Sequence, residues 1–203
     1  MIRIGWAVAA AAMLAAAMAA AAASAQQSAR VRGTIDKVDG NTLSIKSRDG
    51  ADLKITLANN AMVVGVEKAS LADIKQGSYV GSAAMPQADG SQKALEVHIF
   101  PEPMRGTGEG HRPYAPVPDS TMTNGTVGDT VAAVDGQGFI VKYRDGEKRI
   151  VVPPGVPIVR YVIGDRSDLK PGAHFTVLSA TRQPDGTLET ARINVGRDGV
   201  VPQ

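Results

Sequence analysis

The sequence contains no cysteine, and its single tryptophan, Trp6, lies near the N-terminus. Without cysteine the chain has neither a disulfide bond nor a thiolate ligand, so its folded state depends on the hydrophobic core alone. Aromatic residues make up only 4% of the sequence. We therefore expect a core that is built mainly from valine, isoleucine, leucine and alanine.

Histidine is also scarce: His98, His111 and His174 are the three in the chain, and they lie in separate parts of the sequence. The Gly-x-Ser-x-Gly turn of a serine nucleophile and the His-Glu-x-x-His motif of a metalloprotease are both missing. His98 stands between Val97 and Ile99 in a predicted strand, so the alternation predicts an exposed imidazole. We expect a non-catalytic protein without a cofactor.

The chain has no large excess of either charge, because 22 Lys and Arg residues stand against 20 Asp and Glu residues, a formal net charge of +2. Proteins that bind nucleic acid or an anionic membrane surface usually carry a broad basic face. The composition therefore argues against both as partners.

Long apolar runs are absent except at the N-terminus, where Ala7 to Ala23 is apolar throughout. Arg3 precedes this run, and Ala23-Ser24-Ala25 follows as a small-x-small cleavage site. Residues 1–25 are therefore predicted to be a signal peptide, which indicates a periplasmic or secreted protein. No later segment is long enough to span a membrane.

One stretch of the sequence occurs almost twice. VDGNTLSIKSRDG, from Val38 to Gly50, is followed much later by VDGQGFIVKYRDG, from Val134 to Gly146. Both stretches alternate apolar and polar residues between Asp-Gly turns, which is typical of antiparallel strands. We interpret the three Arg-Asp-Gly tripeptides, which begin at Arg48, Arg144 and Arg197, as turns.

The repeat predicts two consecutive domains of the same architecture. Each copy has five or six strands and one short helical turn, at Ser70 to Asp73 in the first copy and at Ser167 to Gly172 in the second. Closing so small a sheet removes its free edges. We expect an all-β protein with two tandem small OB-like β-barrels, at residues 26–100 and 125–203, joined by an ordered Pro/Gly-rich linker at 101–124.

Short motifs recur in both copies. They are Val31-Arg32-Gly33 in the first strand, Leu71 to Gly77 and Ser167 to Gly172 at the turn, Asp89-Gly90 and Asp185-Gly186 between the closing strands, and Ala94 to Val97 and Ala191 to Ile193 in the last strand. In this arrangement the chain resembles a bacterial family of exported domains of unknown function with OB-like barrels, over most of residues 30–100 and 125–197. The resemblance implies a fold and no catalytic residues.

Chains similar to this one are sometimes labelled as metal transporter permeases, which the absence of a membrane span after residue 25 contradicts. A looser similarity is to small periplasmic copper chaperones, which bind metal through Met, His and Trp side chains. After residue 25 the sequence has no Trp, and no His/Met pair has a matching strand spacing.

The linker contains the candidate site residues. We expect Arg105, Glu109, His111, Arg112 and Tyr114 to pack across the two barrels or to bind a partner. Met104 and His111 are the candidate metal ligands, of a kind that copper accepts. The first hypothesis is an exported envelope module that binds another protein, a glycan or a small ligand. The alternatives are a periplasmic metal-binding protein and an enzyme whose site the sequence does not show.

Overall fold

The computed structural model describes residues 28–133 and 136–203, so the predicted signal peptide lies outside the described residues. Within them the chain is all-β, as the alternating pattern predicts. The strands are β1 Ser28–Asp39, β2 Thr42–Ser47, β3 Asp52–Lys68, β4 Tyr79–Pro86, β5 Gln92–Phe100, β6 Gly110–Pro113, β7 Thr121–Ala133, β8 Gly136–Tyr143, β9 Gly146–Val152, β10 Ile158–Ile163, β11 His174–Arg182 and β12 Leu188–Gly196.

Short 3₁₀ helices lie at Leu71–Asp73, Glu102–Met104 and Arg166–Asp168. In the first, the Asp73 carboxylate accepts hydrogen bonds from the backbone N–H and the hydroxyl of Ser70, at 2.9 and 2.7 Å. The serine and the acid three residues later therefore cap this turn, as their spacing predicts. Among the described residues, no helix is long and apolar enough to cross a membrane.

β3 is one strand of 17 residues where the sequence predicts two. The alternating run at residues 53–57 and the apolar run Met62–Val66 join without a break. In the second half of the chain the corresponding strands, β9 and β10, are separated by Pro153 and Pro154. Proline has no N–H to donate to a neighbouring strand, so it ends the ladder there. The segment between residues 57 and 62 contains no proline.

Five strands form a closed barrel in the order β1–β2–β3–β12–β11. Its strands pair antiparallel except at the closure, where β3 and β12 run parallel and Leu188 pairs with Ile55. Alternate side chains point inward and form a dense core, in which Ile35, Phe175 and Ile193 are almost completely buried. Closure leaves these strands without a free edge.

A second ring of five strands is connected in the order β7–β8–β9–β5–β4. It too is joined by a parallel pairing, in which Gln92 and Lys93 of β5 face Ile150 and Val151 of β9. Its own apolar core includes Phe139 and Ile150. The molecule therefore has two separate cores, each surrounded by strands.

Both sets of strands draw on both halves of the chain. The closed barrel takes β1–β3 from the N-terminal half and β11 and β12 from the C-terminal half, while the second ring takes β4 and β5 from the N-terminal half and β7–β9 from the C-terminal half. Strand pairing thus crosses the predicted boundary between residues 26–100 and 125–203, and two consecutive barrels are not confirmed. Alternation shows which side chains face a core, but it cannot show which distant strand is the neighbour.

β10 joins the two sets of strands. It pairs antiparallel with the C-terminal half of β3 and parallel with β5. Val64, Val66, Met104, Val159 and Tyr161 form a third apolar cluster at this junction. Neither set of strands is complete without both halves of the chain.

We predict that residues 26–100 alone do not fold cooperatively. Without β11 and β12, strands β1–β3 lack two neighbours and much of their core stays exposed. A urea titration followed by circular dichroism should show no sigmoidal transition for this fragment. Mixing it with residues 101–203 should restore one. A cooperative unfolding transition of monomeric residues 26–100 by themselves would show that β1–β3 do not need β11 and β12 in order to fold.

Two glycines allow neighbouring strands to approach closely. A Cβ atom at Gly33 on β1 would lie 2.1 Å from the carbonyl oxygen of Lys46, and one at Gly125 on β7 would lie 2.3 Å from that of Lys142. Both obstacles are backbone atoms of a paired strand, so they cannot move aside. At Gly128 a Cβ would meet only the flexible side chain of Lys142.

We expect Gly33→Ala and Gly125→Ala each to lower the free energy of unfolding by about 1–3 kcal/mol, because the added methyl group forces the strands apart. The matched control is Gly128→Ala, which should change it by less than about 1 kcal/mol. Urea denaturation of the three variants measures the difference. Equal effects at Gly33 and Gly128 would show that the close approach is unimportant.

Candidate functional site

Arg105, the first interaction candidate from the sequence, is anchored by several groups. Its Nε and Nη2 donate to the Glu102 carboxylate at 2.6 and 2.8 Å, and Nη2 also donates to the Gly77 carbonyl at 2.9 Å. The guanidinium lies over the ring of Tyr79, 5.7 Å from its centroid. Arg105 thus fastens the start of the linker to the edge of the second ring.

His111 and Glu109 attach the linker to β7 and β8. His111 Nδ1 is 2.8 Å from the hydroxyl of Thr123, and the imidazole stacks on Tyr143 with ring centroids 6.4 Å apart. The Glu109 carboxylate accepts a hydrogen bond of 3.0 Å from the backbone N–H of Arg144. Burial lowers the pKa of His111, which favours the neutral imidazole.

Arg112 and Tyr114 make contacts within the linker. Arg112 donates to the carbonyl of Gly108 at 2.6 Å, and the backbone N–H of Tyr114 donates to the carbonyl of Ser120 at 2.9 Å. These bonds give the Pro/Gly-rich segment a defined shape. The described hydrogen bonds of the linker candidates are therefore with the second ring and with the linker itself, while Tyr114 also lies near enough to Arg32 of the closed barrel to affect its pKa.

Met104 and His111, the candidate metal ligands, have different surroundings. Met104 is 4% exposed and packs in the apolar cluster at the junction, whereas His111 lies on β6 beside Thr123. Among residues 28–133 and 136–203, no three His, Cys, Asp or Glu side chains are grouped so as to hold a metal ion. A metal site that uses Met104 and His111 stays a prediction.

His98 is buried, so the prediction of an exposed imidazole is wrong. It is 8% exposed, its Nε2 is 3.1 Å from Oε1 of Glu96, and its ring stacks on Tyr161 at 5.1 Å. Alternation does place His98 on the outer face of β5, but Tyr161 of β10 covers that face. Burial raises the pKa of Tyr161, so its hydroxyl stays protonated.

Four arginines converge at one end of the closed barrel. Arg30 and Arg32 lie on β1, Arg48 follows β2, and Arg182 ends β11. They line a cavity of about 510 Å³, which we call the arginine cleft. Its other lining residues are Ala29, Val31, Ser47, Asp49, Leu53 and Leu188.

Strand pairing brings these arginines together. Val31 points into the barrel core, so Arg30 and Arg32 on either side of it point outward. The backbone N–H of Arg48 donates to the carbonyl of Arg32 at 2.8 Å, which holds the turn after β2 against β1. The antiparallel pairing of β1 with β11 then places Arg182 at the same end of the barrel.

The arginine cleft has an excess of positive charge. Within the part of the chain that the structure describes, none of its four guanidinium groups forms an ion pair. Asp49 is the one carboxylate among the lining residues, and it accepts a hydrogen bond from the Ser47 hydroxyl. That hydrogen bond lowers the pKa of Asp49. The lining thus contains four positive groups and one carboxylate, and Glu96, which is not a lining residue, also raises the pKa of Arg32.

Arg30 and Arg32 each carry a donor that the described residues leave unpaired. The Nε atoms of both are buried and have no hydrogen-bond partner there. A buried donor without an acceptor costs about 1–3 kcal/mol, so an acceptor from a water molecule or a ligand would stabilise the protein at this place. Burial, and then the charge of Arg30, lower the pKa of Arg32. A negative group in the cleft would offset both effects.

The sequence gives only part of the signal for this cleft. Arg32 lies at a polar position of the predicted strand that begins at Val31, and Arg30 directly precedes that strand. Arg48 begins an Arg-Asp-Gly tripeptide that is interpreted only as a turn. The hydrogen bond from Gly50 N–H to the Ser47 carbonyl confirms that turn. Nothing in the sequence connects these three residues with Arg182.

A second cavity, of about 450 Å³, contains an arginine that is fully paired. Arg197 donates from Nε and Nη2 to the two carboxylate oxygens of Asp168, both at 2.9 Å, and from Nη1 to Glu67 at 2.8 Å. These hydrogen bonds hold the pKa of Asp168 below its usual value. Because the chain supplies every partner, we interpret Arg197 as a structural clamp.

The fold and the arginine cleft together define a class: an all-β protein with a closed five-stranded barrel and a basic, ligand-sized cleft at one end of it. No protein family, curated protein or solved structure gives a significant match to this chain. The geometry of the cleft is therefore the main indication of function.

We expect Arg197→Gln to lower the free energy of unfolding at pH 7 by about 1–3 kcal/mol, because hydrogen bonds to charged groups are lost. The hydrogen bonds from Arg197 hold the pKa of Asp168 below its usual value in the folded state, so this stabilisation is present at neutral pH and is lost as the pH falls through that lowered pKa. Denaturation at pH 7 and pH 3 should show the difference from wild type shrinking. The control is Arg166→Gln, which removes an exposed arginine of the same 3₁₀ helix that forms no ion pair among the described residues. A difference that does not depend on pH would contradict the assignment.

Proposed function

We propose that this protein is an exported, non-catalytic binding module of the bacterial envelope, and that the arginine cleft is its binding site. The supporting observation is that four guanidinium groups, none of which forms an ion pair with a described carboxylate, line one cavity. Guanidinium groups match carboxylates and phosphates in shape as well as in charge. The ligand therefore carries at least one such anionic group.

We propose further that the chain contains two copies of one OB-like unit, which exchange their last two strands. The repeated sequence at residues 38–50 and 134–146 supports two copies. Both rings also have the same strand order and each is joined by a parallel pairing, β3 with β12 and β9 with β5. On this proposal each barrel is composite, although each copy is continuous in sequence.

Binding explains the arginine cleft better than catalysis does. General acid–base chemistry at neutral pH needs a group whose pKa lies near the pH of the reaction. Asp49 has a lowered pKa and is a weak base, and no histidine lines the cavity. The cleft offers charge and hydrogen-bond donors, which are what recognition of an anion requires.

The proposal that the protein is exported is based on its sequence. The predicted signal peptide at residues 1–25 lies outside the described residues, so the location is argued from the apolar run and the cleavage site alone. An envelope location suits an anion-binding module, because wall polymers, glycans and organic acids outside the cytoplasm carry carboxylates and phosphates. The proposed partner class is accordingly a small ligand rather than nucleic acid.

We expect citrate, which offers three carboxylates, to bind residues 26–203 in isothermal titration calorimetry at low ionic strength. Arg32→Gln should weaken binding about tenfold or more, because one hydrogen bond between charged groups contributes about 1.5–3 kcal/mol. Arg166→Gln removes the same charge from an exposed site and should leave the affinity within about twofold.

Two outcomes would overturn this proposal. Citrate that does not bind the wild-type protein would remove the site. Equal weakening by Arg32→Gln and Arg166→Gln would show that net charge, rather than the arginine cleft, is responsible. Circular dichroism of both variants checks that each is folded.

A further inference from the structure

The lining of the arginine cleft combines charged and apolar side chains. Arg30 and Arg32 of β1 belong to it, and so do Leu53 at the start of β3 and Leu188 at the start of β12. Leu188 belongs to the barrel core, and Leu53 packs against that core while staying partly accessible. The core of the barrel thus reaches the surface at this end.

Resting on the proposed function, we propose that the ligand is a free, small organic anion with an apolar body. Its carboxylate or phosphate lies against Arg30 and Arg32, and its apolar part lies against Leu53 and Leu188. A simple inorganic anion would contact the arginines and leave the two leucines without an apolar partner. A cavity of about 510 Å³ is in the range of small-molecule sites.

The charge distribution argues for a small ligand instead of a long polyanion. A polymer needs a basic surface that extends well beyond one cavity. This chain has a formal net charge of only +2, so the positive charge of the cleft does not belong to a broad basic surface. Arg48 and Arg182, both exposed, are placed to contact a second anionic group at the rim.

The surroundings of the cleft also argue against a membrane as the partner. A membrane-docking face presents large apolar side chains to the lipid. The exposed large apolar residues among those described are Met62, Leu95, Val117, Ile163, Leu178 and Val201, and none of them lines the arginine cleft. The ligand therefore enters as a dissolved molecule.

The test compares acetate, butyrate and octanoate by calorimetry on residues 26–203. Affinity should rise with chain length by about two- to fourfold for each methylene group that is buried. Leu53→Asn should flatten this rise, because it replaces an apolar side chain of the lining by a polar one. Leu178→Asn, the same substitution at an exposed residue of β11 outside the cleft, should leave the rise intact.

Each outcome separates the two proposals. Octanoate that binds no more tightly than acetate, with citrate still dependent on Arg32, would overturn the apolar body and leave the anion site standing. Failure of citrate and of every carboxylate would overturn both. Binding to phosphatidylglycerol vesicles without binding of octanoate would overturn the free ligand in favour of a membrane surface. Loss of the length dependence only in Leu53→Asn supports the inference.

Discussion

The parallel pairing of β3 with β12 is the contact on which the rest of the structure depends. It joins residues near the start of the chain to residues near its end, from the pair Ile55–Leu188 to the pair Val66–Gly196. Without it the closed barrel has two edges and its core is open on one side. Contacts between such distant residues are entropically costly to form. The burial of apolar side chains on both strands offsets this loss of chain entropy.

The arginine cleft is a direct consequence of this closure. Arg30, Arg32 and Arg48 come from the N-terminal half of the chain, while Arg182 and Leu188 come from the C-terminal half. The cleft exists only where the two halves meet at the end of the barrel. Repulsion among four guanidinium groups that form no ion pair with a described carboxylate is unfavourable, although the positive and negative charges of the whole chain nearly balance. Local departures from favourable pairing of this kind are typical of functional sites.

Much of the local structure could be predicted from the sequence, and much of the assembly could not. Alternation around Leu43, Ile45 and Ile55 indicates the strands and their buried faces, and all three side chains are buried. The spacing of Ser70 and Asp73 indicates the capped turn. Neither pattern shows which strands pair with each other, so the pairing of strands from the two halves of the chain cannot be predicted from them. His98 has the same explanation. The sequence correctly predicts that its side chain points outward from β5, but it does not show that Tyr161 of β10 covers that face.

Because the cleft combines residues from both halves, a ligand bound there would be thermodynamically linked to the strand pairing between the halves. A ligand that binds the closed barrel and not the unfolded chain stabilises the folded state, by about 2.7 kcal/mol at 100 times its dissociation constant. That stabilisation acts on the pairings of β1 with β11 and of β3 with β12, since the cleft is lost when either opens. The linker has a matching role. Held to the second ring through Arg105, Glu109 and His111, it keeps the two halves in one molecule at high effective concentration.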